Sequence, residues 1–452
     1  MDSLMKKHSF IALVLSFLCI FLYFPTCEAQ AQSSLEIANK HNAQLEELYQ
    51  PQGSIVTESN TGRILWGENI DKQWSPASMS KLMTVLLAYE AIDEDKFSLD
   101  TEVPVTEESL AICANPHLSN NEMKPGCVYT VSELITLIAI PSSAAATYLL
   151  ADMINPDRAA FVDLLNKRAL ELNMKNTQFV NPIGVKNAYL GNLQLQNADP
   201  DADNLTSAQD FAILAAQLVN KHPDIINHTK NAKVTVKENT EFEETFEGYL
   251  HSLPGTLYEY PGVEGIKTGS ADRGYNYTAT CVQENTRLNE VILGVAQWDV
   301  KDAEYKRHLI GNALYSEAFK NYEFRKILEK GVEYEFDGQK VTLNEDLYDC
   351  VPKDFDPQTC ILNKKEKTIQ TGVETDFLPG YSTPVASVTM HKNTFGVIFL
   401  IILVGGGLTF IVFNRKKKQE NFYKQAHQRP KPRPQNRRPY QKHTHHHPTK
   451  RR

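Results

Sequence analysis

Apolar positions form two dense blocks without charged residues, Phe10 to Phe24 and Phe395 to Phe413, with shorter periodic runs between them. Lys6 and Lys7 precede the first block, and Ala29-Gln30-Ala31 follows it. Basic residues, an apolar stretch and an A-x-A site, in that order, predict a secretory signal peptide over residues 1–31. The second block is 19 residues long, about the length that crosses a bilayer. Its Gly405-Gly406-Gly407 triplet is of a kind that membrane helices tolerate. Arg415-Lys416-Lys417-Lys418 follows at once and, by the positive-inside rule, faces the cytoplasm. The pattern therefore predicts a transmembrane helix over 395–413, with residues 32 to about 392 outside the cell.

Between the blocks the period changes twice. "GSIVTESNTGRILWG" alternates and turns at Asn60-Thr61-Gly62, as a hairpin does. Leu82 to Ile92 is an apolar helical run opened by the residues around Ser78. Thr130 and Glu133 form a capping box, and Pro141 stops the helix they open. A second helix is expected after Ser142. A third is expected from Asn155-Pro156 to about Leu172, with asparagine as cap and proline in the first turn. Thr206 and Gln209 open another, ending near His222-Pro223. After Pro254-Gly255 the chain turns β-rich in "GIKTGSA", "YNYTATCV" and "NEVILGVAQW", and a helix from about Asp302 to Asn321 closes the unit. The fold class is α/β (α+β), an antiparallel sheet made from both ends of the domain with a helical block inserted between them. The expected plan is a leader (1–31), a large domain (32–325), a small β-rich domain or stalk (326–392), the membrane helix (395–413) and a cytoplasmic tail (414–452).

Charge supports this division. Residues from 415 onward carry 14 Lys and Arg against Glu420, a net +13, and residues 1–32 balance to zero. The whole chain is −8, so the outer part is −21, which is −8 minus 13. So acidic a surface excludes nucleic acid as its partner. The basic, Pro- and His-rich tail reads as a solubilising flank able to meet anionic headgroups. Five of the seven cysteines lie beyond the leader, at 113, 127, 281, 350 and 360. An oxidising compartment allows disulfides. The close pairs Cys113/Cys127 and Cys350/Cys360 are expected to close loops, with Cys281 a buried thiol. No C-x-x-C is present, and neither a metal nor a cofactor is expected.

Candidate chemistry begins at "SPASMSKLM", where Ser78 and Lys81 stand three apart. Alone, that is an ordinary polar helix start. Lys267-Thr268-Gly269 follows downstream, and Ser142-Ser143-Ala144 lies between, at the helix junction after Pro141. S-x-x-K, a serine-led middle motif and K-T-G in this order make the penicillin-interacting set. Ser119-Asn120-Asn121 also spells S-x-N, but it lies in a Pro/Gly loop and is set aside. "DPDADN" (199–204) lacks the central glycine and distal glutamate of a calcium loop and reads as a solvated turn.

On these motifs the chain resembles the low-molecular-mass penicillin-binding proteins, serine-type D-alanyl-D-alanine carboxypeptidases. The resemblance covers roughly residues 45–325 and includes "MKNTQFVNPIGV" (174–185), "LTSAQDFAILA" (205–215), "PGVEGIKTGS" (261–270) and "VILGVA" (291–296). With its C-terminal helix it looks like the staphylococcal penicillin-binding protein 4 branch. The resemblance implies a β-lactamase/transpeptidase-like fold, peptidoglycan stem peptides as substrate and β-lactams as ligands. It implies Ser78 as nucleophile, Lys81 as its base and Ser142 as proton relay. Lys267 and Thr268 would hold the terminal carboxylate, and Gly269 would let substrate lie against the strand. The N–H groups of Ser78 and Ser270 would form the oxyanion hole. Ala144 departs from the family's asparagine, which leaves a weakly active or non-catalytic scaffold as the alternative. A β-lactamase needs E-x-x-L-N between the second and third motifs, and none occurs between Ala144 and Lys267. The shared acyl-enzyme leaves the balance of carboxypeptidase and transpeptidase output open.

Overall fold

The computed structural model describes residues 32–391 and 409–418. Its central layer is an antiparallel sheet of β1 (Gly53–Glu58), β2 (Ile64–Glu68), β3 (Val263–Ala271), β4 (Gly274–Gln283) and β5 (Thr286–Val295). The spatial order is β2-β1-β5-β4-β3, so β1 from one end of the domain pairs with β5 from the other. Successive side chains of a strand point to opposite faces. Here Ile55, Val291 and Leu293 enter one core while Val56, Leu288 and Ile292 enter another. Both faces are covered, which is why β1 is buried along its whole length.

The helices that frame the sheet and the site include α1 (Ser34–Lys40), α2 (Lys81–Asp93), α3 (Val131–Ala139), α4 (Ala144–Ile154), α5 (Arg158–Glu171), α6 (Ala208–Lys221) and α7 (Ala303–Asn321). Leu35 and Ile37 of α1 and Ile310 and Leu314 of α7 share a core with Tyr277 and Ile292 on one face of the sheet. The other five helices supply the core on the opposite face. The capping box at Thr130 and Glu133 is present in full. Two other helix starts differ from expectation. Asp157 caps α5, because the Asn155 side chain instead accepts from the Asp157 N–H and forms a turn. Ser207 caps α6, its hydroxyl accepting from the Asp210 N–H.

All five described cysteines are free thiols, so neither expected disulfide is formed. Each of the paired candidates sits in a niche of its own. Cys113 meets the backbone of Met123, whereas Cys127 lies against the Tyr129 hydroxyl, and burial raises the pKa of both thiols. Burial pushes Cys360 up to about 12 and raises Cys350 as well.

A small β-rich region follows α7. Strand β6 (Tyr322–Leu328) pairs antiparallel with β7 (Leu347–Pro352), and residues between 333 and 390 form a separate five-stranded sheet. The described chain through Asp337, with Val341–Thr389, is one compact unit; Gly338–Lys340 and the chain from Met390 form a second. The second contains a helix over 409–418 with Phe410, Ile411, Val412 and Phe413 exposed. The expected leader lies outside the described residues, as does the expected membrane segment apart from 409–413. Among the described residues no helix is long and apolar enough to cross a membrane.

Within the first unit, one ion pair ties the β-rich region to the large sheet. Arg63, just beyond the β1–β2 turn, donates through Nε and a terminal nitrogen to Asp349 of β7, at 3.2 and 2.5 Å. Both side chains are 0% exposed. The other terminal nitrogen donates to Val373 O and Thr375 Oγ1 at 3.1 and 2.7 Å. Thr371 donates to Asp349 at 2.5 Å, and the Phe377 ring lies 4.6 Å from the guanidinium carbon. Every strong partner is supplied, so the pair tolerates burial. Removing one member strands a buried charge, at a cost of about 3–5 kcal/mol. Asp349→Ala is expected to lower the unfolding free energy by about that amount in urea titration. Arg63→Met combined with Asp349→Leu is expected to recover much of it, since a matched apolar pair leaves no charge behind.

Candidate active site

Ser78 lies in a 3₁₀ turn, Ala77–Ser80, and Lys81 is the first residue of α2. In a 3₁₀ turn, residues three apart eclipse one another. The Lys81 amine accordingly stands 2.9 Å from Ser78 Oγ. It also stands 3.1 Å from Ser142 Oγ. Ser142 reaches it because the chain kinks between α3 and α4. The Ser143 N–H bonds back to Leu137 O, and Ser143 caps α4 through Ala146 N. Ala77 and Ser142 both hold left-handed backbone, at φ 49° and 63°. That conformation is unfavourable for residues with a Cβ and collects at functional sites.

Lys81 is 2% exposed, and burial pushes its amine down to about 7. Lys267 of β3 is also buried, its amine donating to Thr268 O at 3.1 Å. Burial, then the charges of Lys81 and Arg307, hold it well below the ordinary lysine range. β3 is the edge strand of the sheet, so among the described residues no other strand pairs with its outer side. Gly269 also has a packing role inside the protein. A Cβ there would stand 2.3 Å from Pro76 O, so the glycine lets β3 approach the Ser78 turn, and the clash it avoids is with the protein itself.

A cavity of about 300 Å³ opens on this ground, lined by Ser78, Lys81, Ser119, Ala144, Ser270 and Ala271 among others. Ser142, Lys267, Thr268 and Gly269 are buried beside it and are not among the residues that line it. Ala144 offers only a methyl, and its N–H is spent on Ser119 O at 2.9 Å. The set-aside segment 119–121 thus backs the site: Ser119 reaches the lining, and Asn120 Oδ1 accepts from Ala145 N at 2.8 Å. Residues 199–204 are not a plain solvated turn either. Asp203 lines the cavity, and the buried Asn204 amide donates to Ser80 Oγ and Asn181 O. Gly184, from the same loop cluster, lies so close to Ala77 O that a Cβ would stand 1.8 Å from it.

Sequence reading also missed Arg307. It is fully buried in α7 and donates to Asn276 O at 2.9 Å and to Gly269 O and Ser270 Oγ at 3.3 Å. His308 is held neutral by burial, then by the Arg307 charge beside it. Its Nε2 accepts from Arg307 Nε, which leaves Nδ1 to donate to Ser252 Oγ. The signal was present: Arg307, Ile310 and Leu314 share one helix face, and that face is buried.

The chain has relatives among known proteins. Residues 40–297 match the family model of D-alanyl-D-alanine carboxypeptidase, peptidase family S11, and residues 324–377 match a domain of unknown function. The chain is 29% identical over 283 residues to D-alanyl-D-alanine carboxypeptidase DacF of Bacillus subtilis, covering 62% of this chain and 65% of that protein. It is 27% identical to D-alanyl-D-alanine carboxypeptidase DacA of Escherichia coli, covering 66% of this chain and 70% of that protein. Among solved structures it is similar to a peptidoglycan synthesis regulatory factor (PBP3) from Streptococcus pneumoniae. That likeness has a TM-score of 0.64 at 26% identity and covers 76% of this chain and 98% of the other. Penicillin-binding protein 5 of Haemophilus influenzae shares the fold at a TM-score of 0.58 and 21% identity, covering 76% and 98%. A family match over more than half of the chain, coinciding with the Ser78–Lys81–Ser142 cluster, makes this protein a member of the D-alanyl-D-alanine carboxypeptidase family S11.

Proposed function

We propose that the protein is a serine-type D-alanyl-D-alanine carboxypeptidase that acts on peptidoglycan stem peptides through an acyl-enzyme on Ser78. The observation that carries this is the Lys81 amine, buried and within hydrogen-bond distance of both Ser78 Oγ and Ser142 Oγ. A serine hydroxyl becomes a nucleophile when a neighbouring base takes its proton. A lysine titrating near 7 is a free base for much of its time at neutral pH. Ser78 Oγ attacks the carbonyl of the penultimate D-alanine as its proton passes to Lys81. The N–H groups of Ser78 and Ser270 receive the oxyanion. The proton then passes through Ser142 to the departing D-alanine amine. Arg307, protonated behind β3, supplies the positive charge at the end of the site that takes the terminal carboxylate, and Lys267 and Thr268 supply hydrogen-bond donors there. Water attacks the ester and frees Ser78; an amine in its place makes the transpeptidase product.

A β-lactam enters the same first step, but its leaving nitrogen stays tethered, so the acyl-enzyme persists. The scaffold alternative rested on Ala144. It loses ground because Ser78, Lys81 and Ser142 are already in contact.

The affinity with the staphylococcal penicillin-binding protein 4 branch, and a C-terminal anchor at 395–413 with the catalytic domain outside the cell, belong to the same proposal. They rest on the apolar segment and the basic tail.

Penicillin labelling of the intact protein is expected to vanish in Ser78→Ala; label on another serine in that variant refutes the assignment. The second-order acylation rate should rise with pH to a plateau, with its midpoint at about 7. The sign follows from Lys81, which is protonated and inert below that pH, so the rate falls about tenfold per pH unit there. A pH-independent rate between 5 and 9 would remove Lys81 as the base. Protease added to intact protoplasts is expected to degrade the domain and spare residues 415–452, and loss of that tail reverses the proposed orientation.

A further inference from the structure

The catalytic cavity continues past the end of β3. The turn from β3 to β4 carries Asp272 and Arg273, and both line the cavity. Both also line a second basin on the other side of the turn, with Gln52, Trp74, Gly294 and Gln297. The two hollows therefore meet at this pair of residues.

The two charges at the seam are not equally available. Asp272 accepts from the Tyr189 hydroxyl at 3.3 Å, and Tyr189 in turn stacks on His117 at 5.0 Å. Arg273 has no hydrogen-bond or ion-pair partner among the described residues. Its guanidinium lies 4.7 Å from the centre of the Trp74 ring, within the range of a cation–π contact, which orients the cation without neutralising it. The nearby carboxylate that feels Arg273, Asp203, also faces Lys186 and bonds to Ser75. The seam thus presents one unspent, pre-oriented guanidinium.

The direction of the substrate supplies the ligand, on the reading given under Proposed function. The reacting carbonyl lies between Ser78 and Ser270, and the leaving carboxylate points toward Lys267 and Thr268. The donor segment must leave the other way, along the free edge of β3 toward Ala271 and the turn. Ser270 and Arg273 are three residues apart. At about 3.3 Å per extended residue, the guanidinium lies within reach of a group two to three residues upstream of the scissile bond. A guanidinium with no partner selects a carboxylate, which it meets with two parallel N–H donors.

We propose that Arg273 and the basin beyond it form a donor subsite that recognises a carboxylate carried by the stem peptide two to three residues upstream of the scissile bond. Arg273 takes no part in the chemistry; it selects the donor.

The test uses the full chain and two synthetic peptides ending in D-alanyl-D-alanine. One carries an upstream γ-linked glutamyl residue with a free α-carboxylate, and the other carries the α-carboxamide. Release of D-alanine gives kcat/KM for each. The wild type is expected to favour the carboxylate peptide by about 3- to 10-fold, the range of an exposed but well-oriented ion pair. The ratio should fall to about one in Arg273→Gln and stay above one in Arg273→Lys. The ratio is internal to each variant, so a loss of folded protein does not mimic the effect. A wild-type ratio near one, or an undiminished ratio in Arg273→Gln, overturns the subsite while leaving the proposed activity standing. Release of D-alanine from neither peptide overturns the activity and the subsite with it.

Discussion

The site depends on keeping one amine out of water. Lys81 is 2% exposed, and a cation so placed is costly unless it sheds its proton. What surrounds Lys81 is a device for holding that dry position open to Ser78. The 3₁₀ turn eclipses the two side chains, the kink at Ser142 supplies a second hydroxyl, and β3 closes the far side. Asn204 pins the turn from below through Ser80. Glycines at 184 and 269 let two separate segments press against the turn's backbone. Each element is modest alone, and their convergence makes a lysine behave as a base at neutral pH.

Arg307 shows how a second buried cation is managed differently. It keeps its charge because the Glu304 carboxylate lies 3.7 Å away, while carbonyls, a hydroxyl and the neutral His308 ring receive its donors. Burial still brings it down to about 10, enough to leave it protonated. One site thus contains a cation held charged by its surroundings and an amine, in contact with two hydroxyls, that burial brings down to about 7. The acid–base division of labour follows from that contrast.

Local pattern carried the catalytic motif because its parts are local. Ser78 and Lys81 sit on one turn, Ser142 follows a proline that ends a helix, and Lys267 lies in a β-rich run. The capping box at Thr130 and the hairpin at Asn60-Thr61-Gly62 were legible for the same reason. What was not legible depends on distant segments meeting. Arg307 lies 37 residues beyond Ser270, the hydroxyl it approaches. Asn204 lies 124 residues from Ser80. Cysteine spacing suggested bridges, but spacing says nothing of which niche each thiol enters. The packing role of Gly269 was not legible because only the fold reveals that its missing side chain makes room for the protein's own turn. Asp203 looked like solvated loop for a related reason, since neighbouring acids mask the one that turns inward.

The two close glycine contacts also set the terms on which the protein can evolve. At 184 and 269 even a methyl group would collide with the carbonyl of Ala77 or Pro76, so the inner wall cannot be adjusted by small steps. The rim is different. His117, Ser119, Asp272 and Trp298 line the cavity and are exposed, and none of them braces the Ser78 turn. Heritable change in which ligands enter, drugs included, is thereby channelled to the rim. The catalytic wall is left to pass unchanged or to fail outright.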